Sequence, residues 1–218
     1  MMEPVEQPAE VKKSGRPWVD MVLSVSAVFI SACSLYLAQD SSRAMERLVQ
    51  ANSMPFIQLG SGNSTDDGQL GSLAFGISNA GTGPARIHDF TYVVDGEPIE
   101  MSGHVVRRII EACCAAEAET ALAQADGDAL RAIGADLTTP VSNSFLAAGG
   151  NVSALIWQRT PENATLWSAV DVARQRGRIT TRACYCSLFD ECWVAEANTF
   201  PPRPVNSCEP EDLARVER

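Results

Sequence analysis

The chain has 218 residues and a net charge of −10. Residues 1–38 hold four acidic against three basic side chains, so −9 falls on residues 39–218. Such a surface repels phosphate backbones and excludes nucleic acid as a partner, and a hydrophobic share of 45% excludes a disordered chain.

Residues 1–17 form a short polar tail. From Met21 to Ala38 no charge occurs over 18 residues. As a helix this run reaches about 27 Å, near the hydrocarbon thickness of a bilayer. With Trp18 as an interfacial aromatic, residues 18–38 read as a single transmembrane anchor. A soluble core helix rarely runs that long without a charge. Lys12, Lys13 and Arg16 precede the span, and Arg43 and Arg47 come after it. That bias places the N-terminus inside and the rest outside. A competing reading takes Ile30-Ser31-Ala32-Cys33 as a lipoprotein box with Cys33 lipidated. Against it, Asp20 interrupts the apolar region and Leu35, Tyr36 and Leu37 prolong it. Ser24, Ala27, Ser31, Ser34 and Ala38 fall on one helix face and are the candidate helix–helix contact.

Residues 39–52 contain helix formers and no Gly or Pro, with Met45, Leu48 and Val49 at helical spacing. They predict a helical stalk that stops before Pro55. The domain proper spans 53–200. Phe56–Leu59 reads as a first strand, and Gly60 to Gly71 as a polar loop. Leu73, Phe75 and Ile77 alternate as in a half-buried strand. Asn79 to Pro84 is a turn, in which Gly81 and Gly83 are expected to supply positive φ and Pro84 the exit. Strand 85–94 comes next, with a bulge expected between Ile87 and Phe90, closing at the tight turn Asp95-Gly96.

Residues 103–135 predict a helical insertion. Val106, Ile109, Ile110, Cys113 and Ala116 stripe one helix over 103–123, and a second helix fits 128–135. Strands return at 143–147 and 152–158. Thr160-Pro161 predicts a helix start, with Thr as cap and Pro in the first turn. Strands 178–188 and 192–198 close the domain as a hairpin. The Pro-rich tail, 201–218, is expected to lack regular structure. This pattern predicts a mainly-β domain, an immunoglobulin-like β-sandwich with a helical insertion; a partly open β-barrel is the alternative.

Two segments carry a resemblance. Asn79-Ala80-Gly81-Thr82-Gly83-Pro84-Ala85 is similar to the N-x-G-x-G-P-A element of a group of uncharacterised bacterial membrane-anchored proteins. Cys184-Tyr185-Cys186-Ser187 through Trp193 resembles their C-terminal Tyr-x-Ser…Trp strand pair. The resemblance implies architecture and localisation and brings no activity with it. The composition points the same way. Two lysines stand against fifteen arginines, which with abundant Ala fits a GC-rich bacterial genome. The expected location is the bacterial inner membrane, single-pass, with a periplasmic domain. The sequons at Asn63, Asn151 and Asn163 are then expected to be silent.

Six of the seven cysteines lie beyond the anchor: Cys113, Cys114, Cys184, Cys186, Cys192 and Cys208. In an exported domain an even count favours disulfides. Cys186 and Cys192 bracket a five-residue hairpin loop. Directly opposed, their Cα atoms fall within disulfide reach. Cys186–Cys192 is therefore the first pairing, and Cys184 is expected to reach Cys208. Cys113 is placed on the core side of its helix, beside Cys114. Six cysteines allow fifteen pairings, and C-x-C-x5-C fits zinc poorly. His88 and His104 lack ligand spacing. His88 and Asp89 are neighbours on a strand, so they point to opposite faces. No nucleophile elbow occurs, and G-T-G lacks the third Gly and the helix of a dinucleotide loop. No catalytic, cofactor-binding or metal residue is assigned, no cofactor is expected, and the chain is not expected to be an enzyme. The expected partners are the bilayer and either a protein or a second copy. The function this supports is a membrane-tethered binding or sensing module; a thiol–disulfide active domain and a structural subunit of a membrane complex are the alternatives.

Overall fold

The computed structural model describes residues 17–63, 71–99, 103–210 and 213. The polar tail ahead of Pro17, residues 64–70 of the Gly-rich loop, and most of 211–218 lie outside them. The chain divides into two units, one ending at Val49 and one beginning at Gln50.

The first unit is dominated by helix α1, Pro17–Asn52, which runs unbroken through the expected anchor and stalk. Its 36 residues extend about 54 Å. It is the one helix among the described residues long and apolar enough to span a membrane, and none of its apolar window is buried in the protein. Ser24, Ala27, Ser31, Ser34 and Ala38 are all exposed on it. The Ser24 hydroxyl donates to Asp20 O at 2.8 Å, so that group is satisfied within the helix.

The second unit is mainly β. In chain order it contains β1 (Ile57–Gly62), β2 (Ser72–Asn79), β3 (Ala85–Val94) and β4 (Glu97–Pro98). Helices α2 (Val105–Cys113), α3 (Ala115–Gln124) and α4 (Ala129–Ile133) come next. After them are β5 (Asp136–Thr138), β6 (Ser144–Leu146), β7 (Asn151–Gln158), α5 (Ala164–Gln175), β8 (Ile179–Cys186), β9 (Cys192–Glu196) and β10 (Arg203–Val205). One sheet has the order β1-β2-β7-β5. The other runs β10-β9-β8-β3-β4, with β6 added beside β3. The sheet arrangement curls as a half-barrel. Alternation explains the shared core. Leu73, Phe75 and Ile77 face inward from β2, and Ile87, Phe90 and Tyr92 from β3. Phe75 meets Tyr92 edge to face at 5.3 Å, joining the two sheets. Trp157, fully buried on β7, donates its indole N–H to Ile133 O at the end of the helical insertion.

Several boundaries differ from those expected of the sequence. The insertion is broken at Cys114, whose φ of −141° and ψ of 42° end α2 and start α3. The stripe therefore holds through Val106, Ile109 and Ile110, while Ala116 is exposed. The core-side cysteine is Cys114, and Cys113 is only half-buried. Helix α5 begins at Ala164, not at Thr160-Pro161. Thr160 and Asn163 instead bond reciprocally across the preceding turn, Thr160 N to Asn163 Oδ1 and Asn163 N to Thr160 Oγ1. The Pro-rich tail is not wholly irregular, since β10 pairs antiparallel with β9. Pro204 is tolerated there because β10 is an edge strand and needs no N–H on its open side. The register shift in β3 falls between Ile87 and Asp89.

Candidate functional site

The densest chemistry lies on the outer face of β8 and β9. Ile179, Thr181, Ala183 and Tyr185 alternate with Cys184 and Cys186, and Ala183 and Tyr185 join the core. Strand period two therefore turns both cysteines to the opposite face. The hairpin register opposes Cys186 to Cys192 and Cys184 to Val194. Cys186 and Cys192 have Cα atoms 4.0 Å apart with their sulfurs at bonding distance. The tail returns over this face through β10, and Cys208 pairs with Cys184 at a Cα separation of 5.7 Å. The structure thus brings Cys184, Cys186, Cys192 and Cys208 together in one four-sulfur cluster. Sulfurs of different pairs are close: Cys186 Sγ lies 3.8 Å from Cys208 Sγ. The sulfurs of Cys186, Cys192 and Cys208 fall within 4.8 Å of one another, a spacing that would suit thiolate ligation only after reduction.

The loop that closes this hairpin is fastened by a buried serine. Ser187 Oγ accepts from the N–H groups of Phe189 and Glu191, and Ser187 N donates to Glu191 O at 2.8 Å. Asp190, at φ 61°, turns the chain and pairs with Arg86. On β3, Arg86 stands opposite Cys186 and Asp89 opposite Cys184, so both border the cluster. Burial pushes the Asp89 carboxyl above the usual carboxylate range, against the pull of Arg182 and the Phe90 N–H. Among the described residues, buried Arg86 Nε has no hydrogen-bond partner. His88 is exposed beside this bulge, and His104 is an exposed residue preceding α2.

A second pair of sulfurs at bonding distance joins the adjacent residues Cys113 and Cys114, at the α2–α3 break. Residue pattern alone does not point to this pair, because neighbouring cysteines in one helix diverge. Cys33 is free and exposed on α1.

The turn after β2 is a clasp. Asn79, 1% exposed, uses its whole amide. Its Oδ1 accepts from Phe56 N and Gly81 N, both at 3.0 Å. Its Nδ2 lies within bonding reach of Gly83 O, Leu146 O and Ala147 O. Gly81 and Gly83 do not have positive φ, which corrects the conformational role expected of them. They are required for space. A Cβ on Gly81 would lie 2.5 Å from Met54 O, and one on Gly83 2.8 Å from Ser53 Cα. Pro84, half-buried, leads the chain out into β3.

Sequence reasoning missed one buried ionic network. Asp171 on α5 accepts from Asn63 Nδ2 at 2.8 Å, from Arg174 Nη2 at 2.7 Å and from Gln175 Nε2 at 2.8 Å. Arg174 also reaches Ser61 Oγ at the end of β1. Of the sequons, Asn163 is fully buried, donating to Ile133 O and Gln158 O. Asn63 is engaged with Asp171, and Asn151 is exposed.

No protein-family model, no curated protein and no solved structure matches this chain.

Proposed function

We propose that the chain is a membrane-tethered binding or sensing module, with α1 inserted in a bacterial inner membrane as a signal anchor and the β domain held on the periplasmic side. The observation that carries this reading is the 36-residue helix α1, whose apolar window is fully exposed. Eighteen consecutive uncharged residues leave no stable place in water unless something apolar covers them. The acidic domain suits an aqueous compartment and repels anionic headgroups. We read its two sheets, joined by Phe75 on Tyr92, as a sandwich of immunoglobulin-like character, with the half-barrel curl as the open-barrel alternative. The exposed small-residue face from Ser24 to Ala38 supports contact with a second copy or a partner helix.

The reading requires an oxidising compartment for the domain. When cells are dissolved in denaturing detergent with a maleimide and without reductant, a single labelled cysteine is expected, Cys33. Six further labels are expected only after reduction. A chain labelled at all seven positions without reductant would contradict the exported placement. A second reading, a thiol–disulfide active domain, draws support from the proximity of Cys186 to Cys208.

A further inference from the structure

Two disulfides that touch have a chemistry that separate disulfides lack. Exchange requires a thiolate within reach of the sulfur it attacks, and it proceeds without any outside atom once one thiolate is released. The 3.8 Å between Cys186 Sγ and Cys208 Sγ is van der Waals contact, across two different pairs. We propose that Cys184, Cys186, Cys192 and Cys208 form a thiol–disulfide exchange site, in which a dithiol that reduces Cys186–Cys192 ends by leaving a Cys186–Cys208 bond and free thiols on Cys184 and Cys192. The proposal rests on the exported, disulfide-bonded reading of the domain and makes its sensing role specific: the ligand class is a small-molecule or protein dithiol.

The steps balance. One thiolate of the dithiol attacks Cys192 Sγ, forms a mixed disulfide there and expels Cys186 as a thiolate. Cys186 Sγ then attacks Cys208 Sγ, the Cys184–Cys208 bond breaks, and Cys184 leaves as a thiolate that takes up a proton. The second thiol of the dithiol attacks its own sulfur in the mixed disulfide and releases Cys192, which is also protonated. The dithiol is oxidised to a disulfide and gives up two electrons and two protons. The protein holds both as two thiols.

The surroundings fit each role. Cys186 faces Arg86 across the strand pair, and that guanidinium has a buried Nε–H with no partner among the described residues. Its charge is shared with Asp190, and the spare Nε–H beside Cys186 is the group that favours the thiolate that must attack. Cys184 is the most buried of the four, 1% exposed, which favours a neutral thiol as the final state. Asp89 stands opposite Cys184 across the strand pair, and an acidic side chain there disfavours a neighbouring thiolate, which also favours the neutral thiol at Cys184. The exchange also produces a signal. Cys208 stays bonded to β8 but changes its anchor from Cys184 to Cys186. Its sulfur already lies 3.8 Å from Cys186 Sγ, so the bond forms with a shift of only about 2 Å. The tail beyond β10 is re-anchored two residues along the strand.

The test uses the full chain in detergent with Cys33 blocked beforehand. Limiting dithiothreitol is added, the reaction is quenched in acid, and free thiols are alkylated and mapped by peptide mass spectrometry. The first two-electron-reduced species of the cluster is expected to carry alkyl groups on Cys184 and Cys192 and a Cys186–Cys208 crosslink. Alkylation of Cys186 and Cys192 with Cys184–Cys208 intact would overturn the proposal, as would alkylation of Cys184 and Cys208 with Cys186–Cys192 intact. Free thiols throughout the untreated cluster would instead overturn the exported reading itself. Cys192→Ser provides a second arm, since it leaves Cys186 unpaired beside Cys208. Cys208 is then expected to be bonded mainly to Cys186, with Cys184 as the alkylated free thiol. Cys208 bonded to Cys184 alone would contradict exchange, and the wild-type trapping stands whether or not the variant folds.

Discussion

Gly83→Ala is expected to destabilise the domain by about 3 kcal/mol or more. The added methyl meets backbone at Ser53, its Cα 2.8 Å away, and backbone cannot rotate aside as a side chain can. The turn and the Ser53–Phe56 segment must therefore separate. Separation stretches the bonds from Thr82 N and Gly83 N to Met54 O, and from Ala80 N to Phe56 O. Asn79→Asp probes the same clasp without changing its size. It keeps the acceptor for Phe56 N and Gly81 N but loses the donor to Gly83 O, Leu146 O and Ala147 O. A carboxylate then faces three carbonyl oxygens in a buried site, a cost of about 2–4 kcal/mol. Gly60→Ala is the control, because nothing lies within 4 Å of the added methyl. It is expected to change stability by less than about 0.5 kcal/mol. Urea unfolding of the full chain in detergent, monitored by tryptophan fluorescence, reads all three. A Gly83→Ala midpoint equal to that of Gly60→Ala would refute the close-packing role.

Asp171→Ala is expected to cost about 3–5 kcal/mol. The Asp171 and Arg174 side chains are 8% and 12% exposed, so removing the carboxylate leaves a largely buried guanidinium without its ion partner. The amides of Asn63 and Gln175 lose their acceptor as well. Asp171 also gives the domain a pH dependence. Burial pulls its carboxyl upward, but hydrogen bonds from Asn63, Arg174 and Gln175 outweigh that and hold it below the usual carboxylate range. A depressed folded value means that the contribution is fully present above the unfolded value of about 3.9. It is lost as pH falls through the folded value. Asp89 has the opposite sign. Its raised value contributes below the unfolded pKa, and that contribution is lost as pH rises through the folded one. Acid urea titrations of the native chain and Asp171→Asn are therefore expected to converge below pH ~4. Parallel curves across that range would show that Asp171 is not linked to folding.

Local patterns were legible in the sequence, and long-range partnerships were not. The uncharged run from Met21 to Ala38 needs only its length to announce α1. Strand β3 was readable residue for residue, Ala85 to Val94, because alternation and the Asp95-Gly96 turn bound it on both sides. The opposition of Cys186 and Cys192 comes from hairpin geometry alone. Gly81 and Gly83 were singled out for the wrong reason. A sequence shows that glycine is present, but whether φ or a close neighbour requires it depends on Ser53 and Met54, about 30 residues away. The break at Cys114 was hidden because Ala115 and Ala116 are good helix formers, and a bond between adjacent cysteines leaves no periodic trace. Pro204 concealed β10, since an edge strand accepts proline only when a partner sheet is already in place. The Asp171 network was invisible for the same reason: Asn63 is 108 residues distant in sequence.

The central claim is a domain tethered outside the membrane by α1, and protease access tests it most directly. Spheroplasts expressing the full chain with a tag at the C-terminus are treated with proteinase before and after lysis. The tag and domain are expected to be lost from intact spheroplasts, while a fragment retaining Trp18 to Ala38 survives in the membrane. A domain protected until lysis would contradict the tethered, exported placement and return the six domain cysteines to a reducing compartment.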